Sequence, residues 1–156
     1  MIDIAIPGFG RLALTELVCD YNGTLARDGL LLAPARELLP RVADVLRIHV
    51  VTADTHGTAQ AELDGLPCEL TVLGPDAQAK AKAALVEGLG AGRVAAVGNG
   101  RNDAGMLKVA ALGIGVVGDE GIAVEAIASS RIVCRSIADA LELLTRPRRL
   151  VATLRD

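Results

Sequence analysis

Aromatic side chains are nearly missing from this chain: 156 residues include one Phe, one Tyr and no Trp. Single-stranded nucleic-acid platforms stack bases on exposed rings, so that class of function has no material here. Basic runs are scarce as well. The formal net charge is −3 and no Lys/Arg stripe appears before the last dozen residues, which argues against a surface that tracks phosphate backbones. Arg146, Arg148, Arg149 and Arg155 are the exception, and they read as a solvated chain end or a subunit contact. No apolar run reaches the roughly 20 residues of a membrane-crossing helix, and no leader pattern is evident. Cys19, Cys68 and Cys134 are odd in number and far apart, with no C-x-x-C. Neither a zinc site nor a disulfide framework follows, and each thiol reads as a small buried apolar group. The expectation is a cytoplasmic protein with neither nucleic acid nor membrane as partner.

What the chain does have is aliphatic mass: 51% of it is hydrophobic. A core of Leu, Val, Ile and Ala in a chain of this length predicts a single domain over 1–156. Alternating Ile2, Ile4 and Ile6, a Pro7–Gly10 turn, then Leu12, Leu14 and Leu17-Val18 predict an N-terminal hairpin over 2–18. A small flap around Asp28-Gly29 fills 25–33, and Pro34 opens a helix. Strands and helices then alternate. Strands are expected at 48–51, 69–73, 94–97, 112–117 and 132–133; helices at 55–63, 77–89, 102–110, 122–128 and 137–144. Wholly apolar strands separated by helices predict a mostly parallel sheet covered on both faces, a three-layer α/β fold.

In such a sheet the residues that end the strands meet along one edge. Leu17-Val18-Cys19-Asp20 runs an apolar strand into a carboxylate, and Asn22, Gly23 and Thr24 turn the chain. Thr52 follows Val50-Val51; Lys80 and Lys82 open the helix after strand 69–73; Gly98-Asn99-Gly100-Arg101-Asn102-Asp103 follows Val94–Val97. Taken singly, each has a plain reading: a strand-ending turn, a helix-start residue, solvated lysines, a capped loop. Together they supply a carboxylate, a hydroxyl, an ammonium and a Gly-rich acidic loop. Phosphoryl transfer needs that inventory: a nucleophile, donors for phosphate oxygens, and carboxylates for Mg²⁺.

On these motifs the chain resembles the haloacid dehalogenase (HAD) superfamily of phosphotransferases, and within it the small soluble proteins related to the catalytic core of P-type ATPases. Asp-Tyr-Asn-Gly-Thr-Leu stands where the family has D-x-D-G-T or D-K-T-G-T. Val51-Thr52-Ala53-Asp54 matches the second motif and Lys82 with Val86 the third. Gly98–Asp103 followed by Met106-Leu107 matches G-D-G-x-N-D, and Leu112–Val116 also fits. The resemblance implies that Asp20 is a nucleophile forming an aspartyl-phosphate and that Thr52 binds a phosphoryl oxygen. It implies that Lys82, or else Lys80, neutralises charge. It places Mg²⁺ with Asp20, the Asn22 carbonyl, Asn99 and Asp103.

Two departures stand out. Asn22 replaces the second aspartate, the general acid/base of the phosphatases, and an amide cannot carry that proton. The pumps also lack a carboxylate there, so a slow hydrolase is expected. Asn99 replaces an acidic metal ligand, which should weaken Mg²⁺ binding. Gly113-Ile114-Gly115-Val116-Val117-Gly118 formally matches a dinucleotide fingerprint, but its glycines are expected inside the strand rather than after it. His49 reads as structural; His56 reads as a solvated helix-start histidine, with a substrate contact as the alternative, and Asp54 as a helix cap. The segments 21–51 and 53–81 leave no room for a nucleotide-binding or cap domain, so ion pumping is excluded. By analogy with capless sugar-phosphate phosphatases, a dimer or tetramer covering the open site is expected. The expected activity is a Mg²⁺-dependent phosphatase or phosphotransferase acting on a small phosphorylated substrate. The alternative is a non-catalytic phosphate- or metal-binding protein on the same fold.

Overall fold

Strands with no polar face can sit only in a sheet covered on both sides. In the computed structural model, which describes residues 1–53, 57–74 and 76–156, β3 (Glu16–Asp20), β8 (Val94–Gly98) and β9 (Leu112–Val116) are buried end to end. So is β6 (Arg47–Thr52) after its first residue. They are the middle of a six-stranded sheet ordered β10-β9-β8-β3-β6-β7, with every neighbouring pair parallel. The edges are the shorter, more exposed β7 (Glu69–Val72) and β10 (Ile132–Cys134).

Successive strand residues face opposite layers. Leu17 and Cys19 join a core with α1 (Ala33–Ala43), α6 (Ile137–Thr145) and α7 (Pro147–Leu154). Val18 joins the other core, with α3 (Gln78–Gly88), α4 (Ala104–Val109) and α5 (Val124–Ser129). The result is the three-layer α/β fold expected. Ser136 caps α6, its Oγ accepting from the Asp139 amide at 3.1 Å.

The N-terminal hairpin is shorter than 2–18. It pairs β1 (Ile2–Ile6) with β2 (Gly10–Leu14), and Leu17-Val18 belongs to the central sheet instead. Thr15 is the changeover: its N–H donates to the Arg93 carbonyl and its own carbonyl accepts from the Arg47 amide, both at 2.9 Å. The flap is β4 (Ala26–Arg27) with β5 (Leu30–Leu31). Between them Asp28 and Gly29 both have positive φ, as a two-residue hairpin turn demands. Only this flap and α1 separate β3 from β6, and no cap domain is inserted there. Of the helix expected from Thr55, the described part is α2 (Ala59–Glu62); Asp54, Thr55 and His56 lie outside the described residues. Helix α7 was not expected, because 146–155 reads as a solvated basic end. Among the described residues no helix is long and apolar enough to cross a membrane.

Candidate active site

From β3 the chain runs outward to β6 and β7, then returns to the other side of β3 for β8, β9 and β10. Connections leave the two sides in opposite directions, so a crevice opens at the carboxyl ends beside β3. Asp20 ends β3, Thr52 ends β6 and Gly98 ends β8. All three residue positions face the same edge by topology alone.

Lys82 comes to this edge from the first half of α3. It is 1% exposed, and its Nζ donates to Asp20 Oδ1 at 2.5 Å and to Asp103 Oδ1 at 2.7 Å. Lys80 is exposed, being two positions away and thus nearly across the helix. Thr24 Oγ1 lies 3.3 Å from Asp20 Oδ2 and 3.3 Å from Asn99 Oδ1, with one proton to give to either.

The loop after β8 folds around Asp103. Its Oδ2 accepts the amides of Asn99 at 3.0 Å and Gly100 at 2.8 Å. Gly98 is needed here because a Cβ would stand 2.6 Å from the Asp103 carboxyl carbon. Asp103 has no exposed surface and accepts from three N–H donors, two on Oδ2 and one on Oδ1. It sits behind Lys82 and is bonded both to the lysine and to the loop.

Burial, followed by the charge of Asp103, pushes the Asp20 carboxyl up to about 7, against Lys82 and Thr24. For Lys82 burial opposes the charged form, but Asp20 and Asp103 outweigh it and its pKa rises. Two carboxylates thus share one ammonium in a dry site, and the trio lacks one positive charge.

Above it lies a cleft of about 240 Å³, lined by Asp20, Asn22, Thr52, Lys82 and Asn99. All the expected site residues except Asp103 therefore reach one cavity. Asn102 of the Gly98–Asp103 loop lines it too, with Gln78 and Glu120, which were not anticipated. Gln78 Oε1 accepts from Asn102 Nδ2 at 3.3 Å. Thr24 follows from D-x-x-x-T spacing once Asp20 is chosen; nothing in the sequence marks Glu120. A roomier depression of about 650 Å³ lies at the opposite edge of the sheet, beside Glu16 and Glu69, and holds none of these groups. There His49 Nε2 meets Glu16 Oε2 at 2.9 Å, both buried, as a structural histidine would.

Among the described residues no three His, Cys, Asp or Glu side chains converge as a metal cage. Mg²⁺ does not ask for one. It is held by one or two carboxylates, with water and phosphate completing its shell. Asp20, the Asn99 amide oxygen and the buried Asn22 Oδ1, which has no hydrogen-bond partner among the described residues, fit that ion.

No protein-family model matches the chain. An uncharacterized protein of Methanocaldococcus jannaschii is 53% identical over 64 residues, 41% of this chain and 69% of that protein. The fold matches 3-deoxy-D-manno-octulosonate 8-phosphate phosphatase from Moraxella catarrhalis, solved with magnesium, phosphate and KDO. The TM-score is 0.70 at 15% identity, covering 89% of this chain and 90% of that one. It also matches a putative HAD hydrolase of subfamily III A from Legionella pneumophila, with TM-score 0.71, 13% identity and coverage of 90% and 87%. A third match is the cobalt-bound deoxy-D-mannose-octulosonate 8-phosphate phosphatase of Haemophilus influenzae, with TM-score 0.71, 12% identity and coverage of 89% and 91%. The fold is that of the haloacid dehalogenase phosphatases, and the chain belongs to the family of the Methanocaldococcus jannaschii protein.

Proposed function

We propose that the protein is a Mg²⁺-dependent phosphatase of a small phosphomonoester that works through an aspartyl-phosphate on Asp20. The observation that carries this reading is Lys82, buried and clamped between Asp20 and Asp103 at the carboxyl edge of the sheet. A lysine is expensive to bury for structure alone. Here it would pair with the nucleophile and with the charge of an incoming phosphate.

The first step forms a bond from an Asp20 carboxylate oxygen to phosphorus and breaks the bond to the leaving alcohol. Thr52 and Lys82, which line the cleft with Asp20, would donate to phosphoryl oxygens. The leaving oxygen takes its proton from water, because Asn22 has none to give. Water then attacks the phosphorus, releasing inorganic phosphate and restoring Asp20. Without a base to draw off the water's proton, this second step is slow. Asp20 with the Asn22 and Asn99 oxygens would hold Mg²⁺, which would supply positive charge to the phosphate.

The lack of a carboxylate at position 22 is also the feature shared with the P-type ATPase branch, whose phosphoenzyme is long-lived. It favours a second reading as well: with Asn99, it would suit a protein that binds phosphate and metal without turnover. One experiment separates them. Hydrolysis of an aryl phosphate is followed with and without Mg²⁺ in the wild type and Asp20→Asn. Metal-dependent release abolished by the substitution supports the enzyme. Binding of beryllium fluoride without any turnover supports the binding protein. The open cleft invites cover from a second copy, which sedimentation in the presence of the phosphate analogue would detect.

A further inference from the structure

Asn99 removes one negative charge from the place where this kind of site holds its cation, and Asp103, wholly buried and bonded to Lys82 and two amides, does not line the cleft. The carboxylate that remains is Glu120. It lies in the loop between β9 and α5, lines the cleft with Asp20 and Asn99, and makes no hydrogen bond or ion pair among the described residues, unlike its neighbour Asp119, which pairs with Arg27 at 2.6 Å. Its carboxylate reaches into the site. A Cβ on Gly23 would stand 2.8 Å from Glu120 Oε2, 2.8 Å from Asn99 Oδ1 and 2.7 Å from Asn99 Nδ2. One small volume over the Asp20 turn is thus bordered by the Glu120 carboxylate and the Asn99 amide together. Gly23, at φ +80°, keeps that volume open.

The loop is tied to the site from both ends of Asn99. Asn99 Nδ2 donates to the Gly121 carbonyl at 3.1 Å, and the Ala123 amide donates to the Asn99 carbonyl at 2.9 Å. The arrangement makes the Glu120 backbone part of the same unit as Asn99. A flexible carboxylate in water has no reason to turn toward a cluster that already carries excess negative charge, unless a cation joins them. We propose that Glu120 is a ligand of the divalent cation, directly or through one metal-bound water, and restores the charge that Asn99 lacks. The inference rests on the metal-dependent reading of the site given above.

The test measures metal affinity rather than turnover. Full-length protein stripped with chelator is titrated with Mg²⁺ by calorimetry and with Mn²⁺ by electron paramagnetic resonance. Variants are checked for folding by circular dichroism. Glu120→Gln is expected to weaken both ions about tenfold or more, since hard-cation affinity follows ligand charge. Asp119→Asn, one residue away, should stay within about twofold because it faces Arg27. Adding Asn99→Asp to Glu120→Gln should recover the affinity. Unchanged affinity in Glu120→Gln while Asp20→Asn loses binding overturns the role of Glu120 and leaves the metal site standing. A loss that Asn99→Asp fails to restore, or one equalled by Asp119→Asn, overturns it too. Wild type that binds neither ion, or Asp20→Asn that binds as the wild type does, removes the metal centre and this inference with it.

Discussion

Asp20 stands between opposing influences: burial and Asp103 favour its proton, while Lys82 and Thr24 favour its charge. The balance lifts its folded-state pKa above the unfolded value of about 3.9, to about 7. The folded protein therefore holds that proton more tightly, and metal-free stability declines as pH rises through the interval between the two values. Asp20→Asn removes the effect. Its unfolding free energy without metal should be close to the wild type's near pH 4 and exceed it at pH 8, by a difference on the order of 4 kcal/mol. A variant that gained nothing between those pH values would show the carboxylate to be ionised at no cost. Mg²⁺ should stabilise the wild type and not the variant. At position 22 an acid restores the missing proton carrier: Asn22→Asp should raise aryl phosphate hydrolysis by about 10²-fold, read as steady-state kcat with a shorter-lived phosphoenzyme. No acceleration would place the slow step elsewhere.

The flap is the element whose placement matters most to the cleft. Its turn is held through one atom, the Gly29 carbonyl, which accepts from Tyr21 Oη at 3.0 Å and from Thr58 Oγ1 at 2.7 Å. The single tyrosine of the chain thus fastens the end of β3 to the flap. Tyr21→Phe should lower stability by about 1 kcal/mol, the usual net worth of a hydrogen bond, and speed protease cleavage near 28–30. Arg27→Ala breaks an exposed pair with Asp119 and should change the urea midpoint little. Helix α7 is the element that the residue pattern concealed. Pro147 opens it, yet only Leu150 is fully buried, and four arginines in or beside it mask the apolar positions. Leu150→Ala should cost about 2–4 kcal/mol, measured by chemical unfolding; a smaller loss would mean that the helix is loosely docked.

Across the whole molecule, what could be read in advance was what the backbone alone decides. Val94–Val97 or Leu112–Val116 can only be interior parallel strands, and interior parallel strands carry Asp20, Thr52 and the Gly98–Asp103 loop to one edge without reference to any side chain. Lys82 against Lys80 was not decidable, because helix phase depends on how α3 docks. Glu120 was invisible for a deeper reason: its direction is set by a loop pinned through Asn99, a contact between residues far apart in the chain. The hairpin limit failed at Thr15, where both backbone partners are likewise distant. The position of β3 has a consequence for how the protein is made. The strand bearing Asp20 comes early in the chain, but one of its two sheet neighbours is β8, roughly 75 residues later. A nascent chain that ends before Val94 can zip β3 to β6 and leave its other side an open, apolar, hydrogen-bonding edge. Such non-local pairing is slow, in the range of milliseconds to seconds, and pulse-labelled hydrogen exchange should find β3 and β8 amides protected together. Until β8 arrives, the reactive strand is a sticky border, and the protein is most exposed to aggregation while it is still being synthesised.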